Sequence, residues 1–440
     1  MSEHPDGGNK ISENVLTTSP SDRSGDFKKW QQVFLGMQNT LAMSGVIIVP
    51  ILCGLNVSVT LLCAGIGTII YQLIDKRMIP AFLGGSFAFV APLSLVISEM
   101  GIPYAQGGIL FVMLLYFAFA LLLQLLKPHR VAKVFPPVIT GPIIMIIGLT
   151  LAGVGVSSAS GNWWVALITL AIAIVVNVFT KRMTQILTIA IALVGGYLVS
   201  IPFGLVDFSE VIAAPWIGLP DFHMPAFDLR AILLIAPAAI VPCIEHIGGV
   251  IALGNVVGKD FTKNPGLPRS LFGCGVASAF SGMVGGPPLT IYGENTGVLT
   301  ITRLYSPFIV GCGAAWMALF AFVPKFEALC RSIPDPVLGG VGILLYGMIT
   351  CVGIRTLIDN KVDFTVPKNL IVGTSILIFA VGGASFVFPG EIVLGGMAVA
   401  AIVGIILNLV LPNPKKYKTL MAEGSLAKES PPEITDDDTN

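Results

Sequence analysis

Charged residues are scarce in this chain of 440 residues: they make up 11% of the sequence, whereas an average soluble domain has about 25%. Hydrophobic residues make up 54% and the mean hydropathy is +0.86, which excludes an ordinary soluble domain. The 25 basic and 25 acidic residues balance, so no positive surplus is available to bind nucleic acid. We therefore expect a membrane protein that contacts lipids and has no nucleic-acid partner.

The sequence also lacks the patterns of metal sites and enzymes. Its 7 cysteines occur singly, without a CxxC pair or a spacing that indicates a disulfide framework. No HExxH, GxSxG or phosphate-binding loop is present. We predict no metal, no cofactor and no enzymatic activity.

Apolar stretches recur along the chain. Each has about 16 to 25 residues, the length at which a helix crosses about 30 Å of hydrocarbon. The polar ends, 1–32 and 412–440, lack the apolar centre of a secretory signal and are predicted to be disordered cytoplasmic tails. Between them we predict 14 membrane segments, at approximately 33–52, 57–74, 80–98, 107–126, 136–156, 163–180, 186–204, 231–257, 269–285, 287–302, 307–324, 336–352, 369–384 and 391–411.

The distribution of basic residues supports this number of segments. With the amino terminus inside the cell, only Arg230, Lys325 and Arg331 fall in outer loops, and the other 22 lysines and arginines fall on the cytoplasmic side. A missed or additional segment would destroy that asymmetry. We expect a multi-pass protein of the inner cell membrane with both termini in the cytoplasm.

Segments seven positions apart resemble each other. Residues 136–141 and 335–340 share the pattern x-Pro-Val-aliphatic-x-Gly, and residues 65–67 and 273–275 share Gly-x-Gly. Because seven is an odd number, the second unit would cross the membrane in the opposite direction to the first. Inverted repeats of this kind are typical of secondary transporters.

Segments 3 and 10 are short and interrupted by glycine or proline, at residues 80–89 and 285–295. Non-helical backbone inside a membrane is tolerated only where protein or a wet cavity satisfies its polar groups. Paired broken segments in matching positions therefore indicate the binding site of a transporter. The alternative is that both segments are simply kinked helices.

Two acidic residues lie within predicted segments, Glu245 midway along segment 8 and Glu294 in segment 10. A carboxylate at the centre of a membrane helix costs at least about 2.5 kcal/mol, so each is a functional candidate. A buried carboxyl group can bind and release a proton, which would couple transport to protons. His246 either shares this role or faces a packing partner.

Segment 1 carries the polar pair Gln38 and Asn39 in the position that corresponds to Glu245 and His246. Buried amides are costly unless they have hydrogen-bond partners. The pair is therefore predicted to join a polar network with segment 8, or else to contact a polar substrate.

Residues 294–303, Glu-Asn-Thr-Gly-Val-Leu-Thr-Ile-Thr-Arg, resemble the signature [Gln/Glu/Pro]-Asn-x-Gly-x4-Thr-[Arg/Lys] of the nucleobase-ascorbate transporter family, also called nucleobase:cation symporter-2. The motifs at 83–89, 245–248 and 345–347 look like the family's segments 3, 8 and 12. Glu294 at the first signature position resembles the bacterial uracil permeases, because xanthine and urate carriers typically have Gln there and ascorbate carriers Pro.

The resemblance implies an all-α polytopic membrane protein, with 14 transmembrane segments in a 7+7 inverted repeat and short strands in segments 3 and 10. It implies a core domain, 33–126 with 231–324, and a gate domain, 136–204 with 336–411, commonly within a homodimer. The implied function is import of a nucleobase, uracil above all, by proton symport with alternating access. The alternatives are a xanthine or urate permease, and an anion carrier on the same fold.

The resemblance also implies roles for individual residues. Glu245 and Glu294 would bind the substrate through carboxylates, Gly293 and Phe87 through backbone amides, and Tyr346 from the gate side. Glu245, together with His246, would couple the proton, and the supporting polar network would comprise Gln38, Asn39 and Asn295. Two positions depart from the uracil-type pattern, since Asn39 and Gly249 stand where those members often have histidine.

Overall fold

A computed structural model describes residues 22–125, 134–181, 183–388 and 392–412. Most of both predicted tails lies outside these ranges. Residues 22–32, which the sequence assigned to the amino-terminal tail, are folded. The Asp22 carboxylate accepts a hydrogen bond of 3.1 Å from the N–H of Tyr305, and the N–H of Arg23 donates one of 2.9 Å to the carbonyl of Arg303. This polar stretch is ordered because it forms hydrogen bonds with residues at and just after the end of the signature, 294–303.

The first half of the chain contains nine helices and one strand in the described residues. They are α1 (Lys29–Ala42), α2 (Gly45–Cys53), α3 (Val57–Ile74), β1 (Leu83–Gly85), α4 (Val90–Met100), α5 (Ile102–Leu125), α6 (Pro137–Ser160), α7 (Trp163–Phe179), α8 (Met183–Ile186) and α9 (Thr188–Ser200).

A short helix, α10 (Ser209–Ala213), lies in the connection between the halves. In the part that the structure describes, the second half then adds nine helices and three strands. They are α11 (Leu229–Ile235), α12 (Ile240–Val257), α13 (Leu267–Val284), β2 (Leu289–Ile291), α14 (Gly293–Thr302), α15 (Pro307–Phe320), α16 (Pro324–Arg331), α17 (Asp335–Asp359), α18 (Pro367–Val381), β3 (Phe386–Phe388), β4 (Ile392–Leu394) and α19 (Gly396–Val410).

Each of the 14 predicted segments contains a helix, but the helices differ in length. Among the described residues, six helical stretches are long and apolar enough to cross a membrane, and α15 with α16 makes up to seven if that pair is one span. Five further apolar helices have only 10–17 residues, and they belong to segments 3, 6, 7, 13 and 14. Several segments therefore include a turn or extended piece as well as a helix.

Some of these breaks were not predicted. Segment 1 divides between α1 and α2. The chain also bends by 85° between α15 and α16, at the predicted end of segment 11. The start of segment 14, predicted to be helical, instead pairs as strand β4 with β3 in an antiparallel hairpin. A short apolar run does not distinguish strand from helix by periodicity alone, which explains the error.

Segments 3 and 10 meet at the centre of the fold. Strands β1 and β2 pair antiparallel, with Gly84 opposite Thr290, and all six of their residues are buried. Flanking bonds extend the pairing: the N–H of Ser86 donates to Pro288, and the N–H of Tyr292 donates to Phe82. Two broken segments thus satisfy each other's backbone groups at a depth where lipid could not.

Helix packing repeats with an offset of seven segments. Helix α3 packs on α15, and α13 packs on α5, so segments 2 and 11 correspond to segments 9 and 4. In the same way α7 packs on α9 and α18 on α19, while α6 packs along α17, its own counterpart. The weak sequence repeat is therefore matched by a repeat of the three-dimensional contacts.

The most extensive packing occurs within two sets of segments. Segments 1–4 pack mainly on segments 8–11, and segments 5–7 pack mainly on segments 12–14. Smaller contacts of α12 with α6 and α19 join the two sets. Segment 8 thus lies at the boundary between them, close to the strand pair.

Candidate substrate site

Two side-chain hydroxyl groups hold the paired strands in place. The Thr68 hydroxyl on α3 accepts a hydrogen bond of 2.9 Å from the N–H of Leu83, and the Ser278 hydroxyl on α13 accepts one of 2.9 Å from the N–H of Leu289. Helices α3 and α13 correspond under the repeat. Each half therefore uses a helix hydroxyl to fix the first residue of its strand.

Glu294 lies in the first turn of α14, directly after β2. Its Oε1 atom accepts a hydrogen bond of 3.4 Å from the Ser44 hydroxyl, and the backbone N–H of Gly45 also bonds to this carboxylate. Both partners stand at the start of α2, where free N–H groups and the helix dipole favour negative charge. The break in segment 1 thus positions the carboxylate.

The second carboxylate oxygen of Glu294 differs from the first. Within the described residues, Oε2 is buried and has no hydrogen-bond partner. At the preceding position, a Cβ atom added to Gly293 would meet no atom within 4 Å other than those of its chain neighbours and its own helix backbone, over the residues that the structure covers. A buried acceptor and an open backbone position are therefore adjacent in the chain at the amino terminus of α14.

Glu245 lies on α12 and is half-buried. Tyr292 is within electrostatic range of both Glu245 and Glu294. Gly249 follows one helical turn later on the same face of α12 as Glu245. A Cβ atom there would approach Ile291 of β2 no closer than 3.8 Å. The position of the family's second histidine thus faces the strand pair and has room for a side chain.

Three aromatic rings form one side of the site. Phe87 is stacked on Tyr292 with ring centroids 6.4 Å apart, and the edge of Tyr346 meets Phe87 at 6.3 Å. Tyr346 belongs to α17, in the other set of segments, and is only 2% exposed. Tyr346, which was predicted to approach from the gate side, therefore contacts Phe87, which was predicted to lie on the core side.

The structure brings Asn39 and Asn295 together. The Asn39 Nδ2 group donates to Asn295 Oδ1 at 3.3 Å, and the Asn295 Nδ2 group donates to the carbonyl of Pro80 at 2.8 Å. This chain of bonds connects α1, α14 and the residues before β1. Gln38 is beside Asn39 on α1 and is less buried.

His246 faces away from the open space near Glu294. The side chain is 1% exposed, and its Nε2 atom lies 2.9 Å from the hydroxyl oxygen of Ser270 on α13. The imidazole thus contacts the neighbouring helix α13.

A model of a permease family matches residues 30–389. The chain belongs to this family. The family prediction from the signature at 292–303 is thereby confirmed, and so is the prediction of a membrane transporter without enzymatic activity.

Relatives from several bacteria match over most of their length. A uracil permease of Bacillus caldolyticus is 42% identical over 410 residues, covering 89% of this chain and 95% of the relative. The uracil permease of Escherichia coli K12 is 38% identical, covering 92% and 96%. The putative pyrimidine permease RutG of the same strain is 35% identical, covering 87% and 89%.

Solved structures share the fold at low identity. The transmembrane domain of the cyanobacterial bicarbonate transporter BicA is 17% identical with a TM-score of 0.57, covering 87% of this chain and 98% of that one. The structure of SLC26A9 is 10% identical with a TM-score of 0.65, covering 90% and 67%. At this identity the likeness concerns the fold alone.

Sequence reasoning missed four residues of the site: Ser44, Thr68, Ser278 and Tyr292. Thr68 and Ser278 each follow a glycine by three residues, Gly65 and Gly275, so a repeated Gly-x-x-hydroxyl pattern marks them. Ser44 precedes a glycine inside an apolar run, and Tyr292 stands two residues before the signature glutamate.

Proposed function

We propose that this permease imports uracil by proton symport. The observation that carries the proposal is the partner-free, buried Oε2 atom of Glu294 beside the open position at Gly293, among the residues that the structure describes. A buried acceptor without a partner is costly, and a ligand that donates a hydrogen bond removes that cost.

The groups around this atom suit a planar pyrimidine base. Uracil presents ring N–H donors alternating with carbonyl acceptors along one edge. The carboxylates of Glu294 and Glu245 can accept from ring N–H groups, and the backbone N–H groups at Gly293 and Phe87 can donate to carbonyls. The rings of Phe87, Tyr292 and Tyr346 offer apolar faces for stacking.

Two carboxylates at one site also disfavour an anion carrier. A site for bicarbonate or sulfate would need neutral or cationic groups toward its ligand, whereas Glu245 and Glu294 would repel an anion unless protonated. The resemblance of fold to BicA and SLC26A9 therefore does not extend to the substrate. Glu245 is the proposed proton-coupling residue, because no His follows one turn later at Gly249.

Transport would proceed by movement of the core segments, 1–4 with 8–11, against the gate segments, 5–7 with 12–14. The smaller contact between these sets, including that of Phe87 with Tyr346, supports such movement. We further propose that all 14 segments lie in the inner membrane as a 7+7 inverted repeat, with both termini cytoplasmic and two copies forming a homodimer. The proton is the coupling ion, and no cofactor takes part.

Uptake of labelled uracil into liposomes that contain the purified protein tests this proposal. An inward proton gradient is imposed, with xanthine, urate and bicarbonate as competitors. One co-transported charge gains about 2.3 kcal/mol per 100 mV, enough for roughly fiftyfold accumulation. We expect uracil to accumulate, and both collapse of the gradient and Glu245→Gln to abolish accumulation. Glu210→Gln, at an exposed position in an outer loop, is the matched control.

Competition for binding separates the alternatives. If a purine binds and uracil does not, the substrate is a purine such as xanthine or urate and not a pyrimidine. Displacement by bicarbonate alone would indicate an anion carrier. Accumulation of uracil that persists without a proton gradient would reject proton symport and leave uracil transport intact.

A further inference from the structure

A second set of buried polar side chains begins at His246 on α12. His246 Nε2 is 2.9 Å from the Ser270 hydroxyl, which is 2.7 Å from the hydroxyl of Tyr71 on α3. Ser270 and Tyr71 are fully buried. Asp75 follows Tyr71 by four residues on the same helix face. This line of side chains runs from the middle of segment 8 to the end of α3.

The end of α3 faces the cytoplasm by the distribution of basic residues, because Lys76 and Arg77 follow Asp75 directly. Arg77 lines an open cavity of about 470 Å³ in this surface. The groups that face Asp75 are Tyr71 on its own helix, and Arg269 and Cys274 on α13. Arg269 is held there by a hydrogen bond of 2.5 Å to the carbonyl of Ile74.

The His246 end of the line is open. Over the described ranges, His246 Nδ1 is buried and has no hydrogen-bond partner. At the other end, the Asp75 carboxyl group is buried beside the Tyr71 hydroxyl and within electrostatic range of Arg269. A network that only held three helices together would be expected to pair His246 Nδ1 as well as its central groups. The two central hydrogen bonds can also run in either direction, since hydroxyl groups both donate and accept.

We propose that His246, Ser270, Tyr71 and Asp75 form the path by which the coupled proton leaves the Glu245 side of the core for the cytoplasm. The inference rests on the proposed proton symport. A proton arrives at Nδ1 of His246, and the Nε2 proton passes to the Ser270 oxygen. The Ser270 proton then moves to Tyr71, and the Tyr71 proton moves to the Asp75 carboxylate. Asp75 releases it, so one proton enters, one leaves and no charge remains.

Three further observations agree with this path. Burial raises the pKa of Asp75 to about 7, so the group can bind and release a proton near neutral pH at the cytoplasmic end. The Cys274 thiol on α13 lies within electrostatic range of both Glu245 and Asp75. Gly273 permits the close approach, because its Cβ would stand 3.2 Å from the Tyr71 ring.

The test uses the purified protein in liposomes that enclose a pH-sensitive dye. Three quantities are measured: uracil binding, exchange of labelled for unlabelled uracil at equal pH, and acidification during net uptake. Exchange does not require proton release. We expect Asp75→Asn to retain binding and exchange but to slow acidification and net uptake about a hundredfold, the lower range for a positioned proton-transfer group. Asp75→Glu should restore most of the rate.

Ser270→Ala interrupts the line without removing a charge and should show the same split between exchange and net uptake. Ser58→Ala is the control, because this serine hydroxyl is equally buried but lies at the other end of α3 from Tyr71 and Asp75, outside the line. Normal acidification by Asp75→Asn and Ser270→Ala would overturn the release path and leave proton symport in place. Equal loss of binding, exchange and uptake would assign the line a structural role and overturn it too. Uracil uptake by the wild-type protein without proton movement would overturn both the proposed proton symport and the proposed release path.

Discussion

The hydroxyl group of Tyr292 donates a hydrogen bond of 2.9 Å to the carbonyl oxygen of Gly85. This bond joins the residue before α14 to the last residue of β1, which belongs to the other half of the repeat. The Tyr292 ring also covers Gly84, where a Cβ atom would collide with it. Segments 3 and 10, which carry residues of the proposed site, are thus held together by a single side chain.

Tyr292→Phe should therefore weaken the site without displacing the ring. The Gly85 carbonyl loses a buried partner, and the expected loss of stability is about 1–3 kcal/mol. We expect a lower melting temperature in detergent and weaker uracil binding, measured on the same preparation. Tyr104→Phe, at an exposed position on α5, is the control. Unchanged binding and melting in Tyr292→Phe would show that the hydroxyl contributes nothing to the assembly of the site.

The breaks in segments 3 and 10 could be predicted because their cause is local. Pro287 and Pro288 have no N–H group to donate, and Gly84 and Gly85 disfavour a regular helix. Within a membrane, such backbone must find partners in the protein. Sequence alone therefore indicated that the two broken segments are special, and the repeat indicated that they correspond.

The hydroxyl groups that support the strands could not be predicted in the same way. Most serine and threonine side chains in an apolar helix bond to a carbonyl of their own helix. Thr60 does so with Asn56, and Thr169 with Val165. Nothing in the spacing of Thr68 or Ser278 shows that its partner is a strand from a distant segment. Only the tertiary packing of α3 and α13 against the strands decides this.

Asn39 illustrates an intermediate case. Its polarity within an apolar segment predicted a buried partner, and the repeat suggested segment 8. The structure pairs it with Asn295, the asparagine of the signature pattern in segment 10, which the family resemblance had placed in the same network. The cost of burying an amide could be read from the sequence, but the choice of partner depends on how α1 packs beside α14.

Removal of either supporting hydroxyl should destabilise the strand pair. Thr68→Val keeps the shape of the side chain but leaves the N–H of Leu83 without its acceptor, and Ser278→Ala does the same to Leu289. Each change should cost about 1–3 kcal/mol as a buried donor becomes unpaired. The readouts are the melting temperature and uracil binding.

Thr169→Val provides the comparison, because this buried hydroxyl bonds only within α7 to Val165 in the part of the structure described. It should leave binding unchanged and alter the melting temperature less than the other two variants. If Thr169→Val and Thr68→Val have equal effects on both readouts, the hydroxyl at Thr68 has no special role in holding β1.

Two glycines of the site should respond differently to the same substitution. Gly84→Ala places a methyl group against the Tyr292 ring inside a fully buried strand, so the strand pair or the ring must move. Gly293→Ala adds the same group where the described structure has no atom within 4 Å. We expect Gly84→Ala to melt at a clearly lower temperature. Gly293→Ala should fold normally and bind uracil weakly, because its methyl group enters the proposed substrate space. Normal binding by a folded Gly293→Ala protein would remove this position from the site.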